Sequence, residues 1–518
     1  MTLTLSSPRL LPGVLFTTWR LGTCHHGPEG TESSLPFPST PQYLKASRQM
    51  PPSKPCTHKD GLQVDVSDHA AEAKFARPPF VNRKAAATPS GRIGQFRGTA
   101  ATREDEIAFG HTFPGPLVLP DDALAIDPKD PPQSLRSWMR EKLRNPFTHE
   151  RKTIYVASVP AIPTSLSFMK TWAVPAEIST AARAVESPKE KDILAYLAAF
   201  YHPLAVKPYP GTVAFTPWTD GTAGTAPDVV GLQVGEEGVT GVRTRACPDG
   251  AFKRQLNLND VLDAALEALP DDAYSLVMMT EQDLYEDEED DFCCGRAYGS
   301  SRIAVVSAAR YHPGLDEGVV DREHMWPASH CVSYATEVCG EEMWANGAPW
   351  RGVPLAFRRK QAKGFGETPL GAAVRAAVAA PAPEEDLGGL WFSRVARTVA
   401  HELGHCLCLG HCSYYACVMQ STAGMAEDVR QPPYLCPVCV TKVSMALMEV
   451  TPGVEEKEFQ VQRYKALQAF CEGWMGVGMF AGYHAWLGKL VQALDESGLP
   501  VSSTPFYRPA QKIVYAKR

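Results

Sequence analysis

Val395, Val399, Leu403 and Leu407 recur four residues apart, which puts one apolar side chain on each successive turn of a helix running from Trp391 onward. A second amphipathic helix is predicted where Val261, Leu262, Ala265, Leu266 and Leu269 share a face, with Asn257 or Asn259 available as its N-cap. Further helices are expected over 134–143, 191–200 and 456–470. Short apolar runs at 153–157, 204–206, 275–279 and 302–307 read as strands. No internal repeat is visible.

Where the periodicity stops, composition takes over. Residues 1–108 are rich in Pro, Ser, Thr, Gly and charge, and a mostly disordered tail is expected there. An N-terminal extension over 109–180, a main domain over 181–475 and a C-terminal helical extension over 476–518 follow. Residues 347–389, dominated by Ala, Pro, Gly and basic side chains such as Arg358, Arg359 and Lys360, read as an insertion in the main domain. The six consecutive acids at 286–291 are expected to form a solvated loop.

With 518 residues, 44% of them hydrophobic, the chain is long enough for a sizeable core. Its net charge of −7 gives no indication of a nucleic-acid partner. No stretch of 18 apolar residues exists, so no helix is expected to span a membrane. The apolar stretch at 10–16 is short and broken by Pro12, unlike an export signal. A cytoplasmic or nuclear location is expected; Arg9, Arg20 and many Ser/Thr ahead of the first acid, Glu29, leave a mitochondrial presequence as the alternative.

The chemistry concentrates on the helix described first. His401-Glu402-Leu403-Gly404-His405 puts two imidazoles one turn apart on one face, able to share a metal ion, with Glu402 beside them as a general base. His411 follows six residues later, the spacing at which a chain leaving the helix can return a third ligand. Three histidines leave a fourth position for water, as a catalytic zinc requires.

Seven of the 14 cysteines fall between positions 400 and 480. Cys412, Cys417, Cys436 and Cys439 form C-x4-C-x18-C-x2-C, two pairs of thiolates with the spacing of a closed structural zinc site. Two zinc ions per chain are therefore expected, one catalytic and one structural. Nucleic-acid binding by this cluster is disfavoured, because Arg430 is the one basic residue among positions 405–440 other than histidine.

The helix with its three histidines, Cys412 directly after it, Cys417-Val418-Met419 and then the CxxC together resemble the archaemetzincin family of zinc metallopeptidases. The resemblance extends over about residues 190–470 and includes Asp283-Leu284-Tyr285 and the run from Val306 to Tyr311. It implies an α/β fold with a metzincin-like mixed sheet, an active-site helix and the four-cysteine zinc subsite. It also implies that Met419 forms a floor beneath the catalytic zinc. The strand at 302–307 would be the edge on which substrate backbone pairs. Two departures stand out. Cys408 occupies the position where the family pattern has Gly, and Ser421 stands where some metzincins place a Tyr.

Hydrolysis of peptide or protein substrates, with aminopeptidase action on short peptides, is the function the resemblance implies. A catalytically silent zinc-binding scaffold or interaction protein is the alternative. Cys408 favours that alternative, whereas Glu402 argues for hydrolysis, since a scaffold needs no general base.

Overall fold

β-Branched and long apolar side chains with a two-residue alternation build the centre of the molecule. In a computed structural model, residues 56, 58, 61–92, 103–218, 227–236, 238–339 and 365–503 are described. The first strands are β1 (Thr153–Ala157), β2 (Ala205–Pro208), β3 (Val213–Thr216), β4 (Val229–Val234) and β5 (Thr240–Ala246). They are followed by β6 (Arg254–Asn257), β7 (Ala273–Thr280), β8 (Asp283–Tyr285), β9 (Gly295–Tyr298) and β10 (Ile303–Ser307).

Among the described residues these strands form two five-stranded sheets, ordered β2-β1-β7-β10-β9 and β3-β4-β5-β6-β8. In the first, β2, β1, β7 and β10 run parallel and β9 closes the edge antiparallel to β10. Every residue of β1, β7 and β10 is buried, because both faces of the sheet are covered. Ile154, Val156, Val277, Met279, Ala304 and Val306 point into a helical core on one face. Their neighbours Tyr155, Ala157, Leu276, Met278, Ile303 and Val305 point into a second core on the other. That second core is shared with β3–β6 and the helix Leu258–Glu267. Asn257 caps this helix, accepting a hydrogen bond from the Asp260 amide at 3.2 Å.

The helical face holds Leu387–Cys406, packed on β9 and β10, with Glu190–Phe200, Pro437–Met448, Glu456–Glu472 and Gly478–Ser497 around it. Asp386 starts the Leu387–Cys406 helix by accepting from the Gly389 amide at 2.7 Å. None of the described helices is long and apolar enough to cross a membrane.

Three expectations need correction. The tail of 1–108 is folded over 61–92 and from 103, with helices at Phe80–Ala86 and Arg103–Gly110. Leu62, Val64, Phe75 and Ala86 are buried there, too sparse to give a period because their partners lie far away in sequence. Residues 1–55, including the presequence-like stretch, lie outside the described residues. The stretch 347–389 is not wholly an insertion. Its second half forms the helix Pro369–Ala379, whose Leu370, Ala373 and Val374 are buried, packed along Gly478–Ser497. Alanine makes that helix look featureless in sequence, yet small side chains suit close helix packing. Residues 347–364 lie outside the described residues.

The strand at 302–307 is an inner strand, not an edge; β9 flanks it and forms the edge. The expected mixed α/β sheet is present, and a second sheet lies beside it, whose strands at 213–257 are short and carry Thr, Arg and Gln.

Candidate metal centre

The Leu387–Cys406 helix ends in a reversal that brings the third histidine back. Cys408 N donates to His405 O at 2.8 Å, and Leu409 N donates to Gly404 O at 3.1 Å. These two bonds define a Schellman turn, whose central position takes the left-handed conformation. Cys408 occupies it with φ 58°. A residue with a Cβ is strained there by about 1–2 kcal/mol, and the surroundings offset that strain. Gln133 Nε2 donates to Cys408 O at 3.0 Å, Gly410 N donates to Gln133 Oε1 at 2.9 Å, and Trp138 Nε1 donates to Leu407 O at 2.8 Å.

The reversal completes a cluster. His401, His405 and His411 each offer a nitrogen within 4.8 Å of the others. Their ring centroids are 4.7, 5.5 and 5.0 Å apart. His401 Nδ1 is 2.6 Å from Val418 O, and His405 Nδ1 is 2.7 Å from Leu409 O. A carbonyl accepts only, so each Nδ1 carries the proton and each Nε2 carries a lone pair. The two Nε2 atoms face each other at 3.0 Å. Two lone pairs so close repel unless a cation lies between them; two nitrogens on one tetrahedral zinc are about 3.3 Å apart. Burial pushes all three imidazoles down to about 3, which keeps them neutral, the form that binds metal. Their edges reach the cleft while the rest of each ring is enclosed.

That cleft has a volume of ≈ 730 Å³. Glu402 lines it, only 6% exposed, and burial pushes its carboxyl up to about 8 against the pull of the Arg296 guanidinium. Arg296, on β9, is itself paired with Glu286, both nearly buried. Of the acidic run, Glu286 is the member that lines the cleft; Asp287–Asp291 are not among its lining residues. The run is therefore not a uniform solvated loop: its first acid is drawn inward by Arg296. Ser421 also lines the cleft.

Met419 is fully buried against Gly404 of the histidine helix, with its carbonyl accepting from Cys412 N at 2.8 Å. Behind it, Cys412, Cys417, Cys436 and Cys439 bring their sulfurs within 4.8 Å of one another, all four buried. Cys412 Sγ and Cys436 Sγ are 3.5 Å apart. The backbone amides of Met419 and Cys436 donate to Cys417 Sγ at 3.5 and 3.3 Å. Burial pushes the Cys417 and Cys436 thiols well up, whereas bonds from Cys417, Cys436 and Cys439 hold the Cys412 thiol well down. Amides aimed at sulfur and a low-lying thiolate suit a cation at the centre.

The sequence reading missed Arg296, Glu286, Gln133 and Trp138 as parts of this site. Gln133 and Trp138 precede the histidines by more than 250 residues, and nothing in their local pattern marks them.

A family model described as "Peptidase family M54" matches residues 379–445, a span that includes His401, His405 and His411 and the four cysteines Cys412, Cys417, Cys436 and Cys439. Archaemetzincin-2 of Rattus norvegicus is 26% identical over 247 residues, covering 47% of this chain and 55% of that protein. Archaemetzincin-1 of Homo sapiens is 39% identical over 83 residues, covering 15% and 17% of the two chains. The chain thus spans about half the length, or less, of these curated relatives. The crystal structure of archaemetzincin from Methanopyrus kandleri overlaps 59% of this chain and 98% of its own, at 16% identity and a TM-score of 0.27. Over the segment that carries the three histidines and four cysteines, the chain is thus similar to peptidase family M54, and the curated relatives it matches are archaemetzincins.

Proposed function

We propose that the chain is a zinc-dependent peptide hydrolase, with His401, His405 and His411 as ligands of the catalytic zinc and Glu402 as general base. The observation that carries this reading is the pair of Nε2 lone pairs 3.0 Å apart, opening on the cleft that Glu402 lines. When bound, zinc supplies Lewis acidity, which polarises a carbonyl and brings the pKa of water towards neutrality. Glu402 takes the proton of the attacking water and returns it to the leaving amine. Its enclosure favours the protonated intermediate state that this shuttle needs. Arg296 holds the carboxylate side of that exchange in balance.

Substrate backbone would pair with β9, since Gly295, Arg296, Ala297 and Tyr298 line the cleft and β9 is the sheet edge. Met419 forms the floor under the histidines. The four cysteines hold a second, structural zinc, which fixes the loop carrying Met419. Aminopeptidase action on short peptides is supported by Glu141 and Asp263, acids lining the cleft, which attract a free ammonium group. Incubation with matched peptides bearing free or acetylated amino termini tests both levels. Chelator-sensitive, zinc-restored release of the first residue from the free peptides alone is expected. Internal cleavage of both sets would replace the aminopeptidase reading, and zinc-independent or absent cleavage would overturn the hydrolase itself.

A further inference from the structure

A third group of ligand-type side chains lies away from the cleft. Cys56, His58 and His324 each hold a donor atom within 4.8 Å of the others, and none of them lines the cleft. Backbone pairing brings the two chain segments together. Gln63 N donates to His330 O at 2.7 Å, Val332 N donates to Gly61 O at 3.2 Å, and Leu62 bridges to Cys331.

His324 is oriented from behind. Asp321 Oδ2 lies 2.7 Å from its Nδ1, and the same carboxylate is positioned by the amides of Glu323 and His324. An imidazole whose Nδ1 proton is held by a carboxylate turns a lone pair outward on Nε2, the arrangement found behind metal-bound histidines. That Nε2 is buried and faces the Cys56 thiol, and His324 is 2% exposed. The His58 ring meets His324 edge-on with centroids 5.4 Å apart, inside the spacing of the imidazoles in the cleft. Cys331 Sγ is 3.1 Å from His58 Nδ1 and 1% exposed.

We propose that Cys56, His58, His324 and Cys331 form a closed zinc site that fastens the segment around residue 56 to the turn preceding Cys331. Two sulfurs and two imidazole nitrogens are a donor set that selects zinc in a tetrahedral, structural site. Binding displaces the thiol protons of Cys56 and Cys331 and ties His58 to Cys331, 273 residues away. The fastened segment continues to Arg77, whose Nε donates to Tyr414 O at 2.9 Å, inside the loop between Cys412 and Cys417. The ion therefore braces the outer side of the four-cysteine cluster.

The test compares zinc content by elemental analysis in the purified full chain and in a Cys56→Ser/His58→Gln variant, both zinc-saturated and then desalted. One zinc equivalent fewer in the folded variant is expected; equal content overturns the site. Alkylation of the wild type provides a measurement that needs no variant. Cys56 is half-buried, so its thiol should resist alkylation with zinc present and react at least tenfold faster after chelation. Equal rates, or a peptide map showing Cys56 joined to Cys331 in a disulfide, would overturn the proposal.

Discussion

Gly404 and Met419 touch beneath the histidine cluster so closely that a Cβ on Gly404 would lie 2.5 Å from the Met419 sulfur and 3.0 Å from its methyl carbon. The glycine within the histidine motif thus makes room for the thioether below it. Gly404→Ala should cost about 1–3 kcal/mol through overpacking and weaken zinc binding at the histidines. Met419→Ala in the same chain should recover part of the loss. Urea unfolding of the two single variants and the double variant checks this; strictly additive losses would show that the two positions do not communicate.

Cys408 carries left-handed strain that a glycine would not. Cys408→Gly should raise stability by about 1 kcal/mol, the relief of strain being partly offset by the greater freedom of glycine in the unfolded chain. Denaturant midpoints at constant zinc measure it. A destabilised Cys408→Gly variant would mean that the contact of Cys408 Sγ with Leu143 O, at 3.5 Å, matters more than the strain.

The histidine helix, the Asn257 cap and the gathering of the three histidines and of the four cysteines were legible because each depends on spacing within a short stretch. The turn after the helix was legible only as a conflict, Cys408 where glycine belongs, and its resolution by Gln133 and Trp138 is a long-range contact that no local pattern reveals. The edge strand was misassigned for a related reason. Ile303–Ser307 has the stronger apolar run because it is an inner strand, whereas Gly295–Tyr298 is polar because it borders the cleft. The Pro369–Ala379 helix was lost in a composition of alanines.

The two metal clusters should separate by mutation. Cys436→Ser should lower the thermal midpoint markedly, since closed-site zinc binding contributes directly to folding. His411→Ala should keep the fold and lose only the ion at the histidines. Thermal melts with parallel zinc analysis check both; equal loss of fold would undo the division into structural and catalytic ions.

Acid sensitivity should be traceable to two imidazoles outside all three clusters. Burial pushes His111 and His330 down to about 4, so both are neutral when folded. The unfolded chain takes up these protons near pH 6.5, the folded chain only near pH 4. Their contribution is therefore complete above pH 6.5 and is lost as pH falls towards 4, at up to about 1.4 kcal/mol per pH unit for each imidazole. A His111→Gln/His330→Gln variant should unfold with a shallower pH dependence in that window at fixed zinc. An unchanged slope would show that neither ring is held neutral.

The most direct test of the catalytic assignment compares wild type with Glu402→Gln on a mixed peptide library, read by mass spectrometry at matched zinc content. The isosteric change removes the proton acceptor and leaves the three histidines in place. Wild type should cleave, and Glu402→Gln should bind the same zinc yet cleave at least about 100-fold more slowly. Equal cleavage by both proteins, or none by zinc-loaded wild type, would contradict the assignment of Glu402 as general base in a peptide hydrolase.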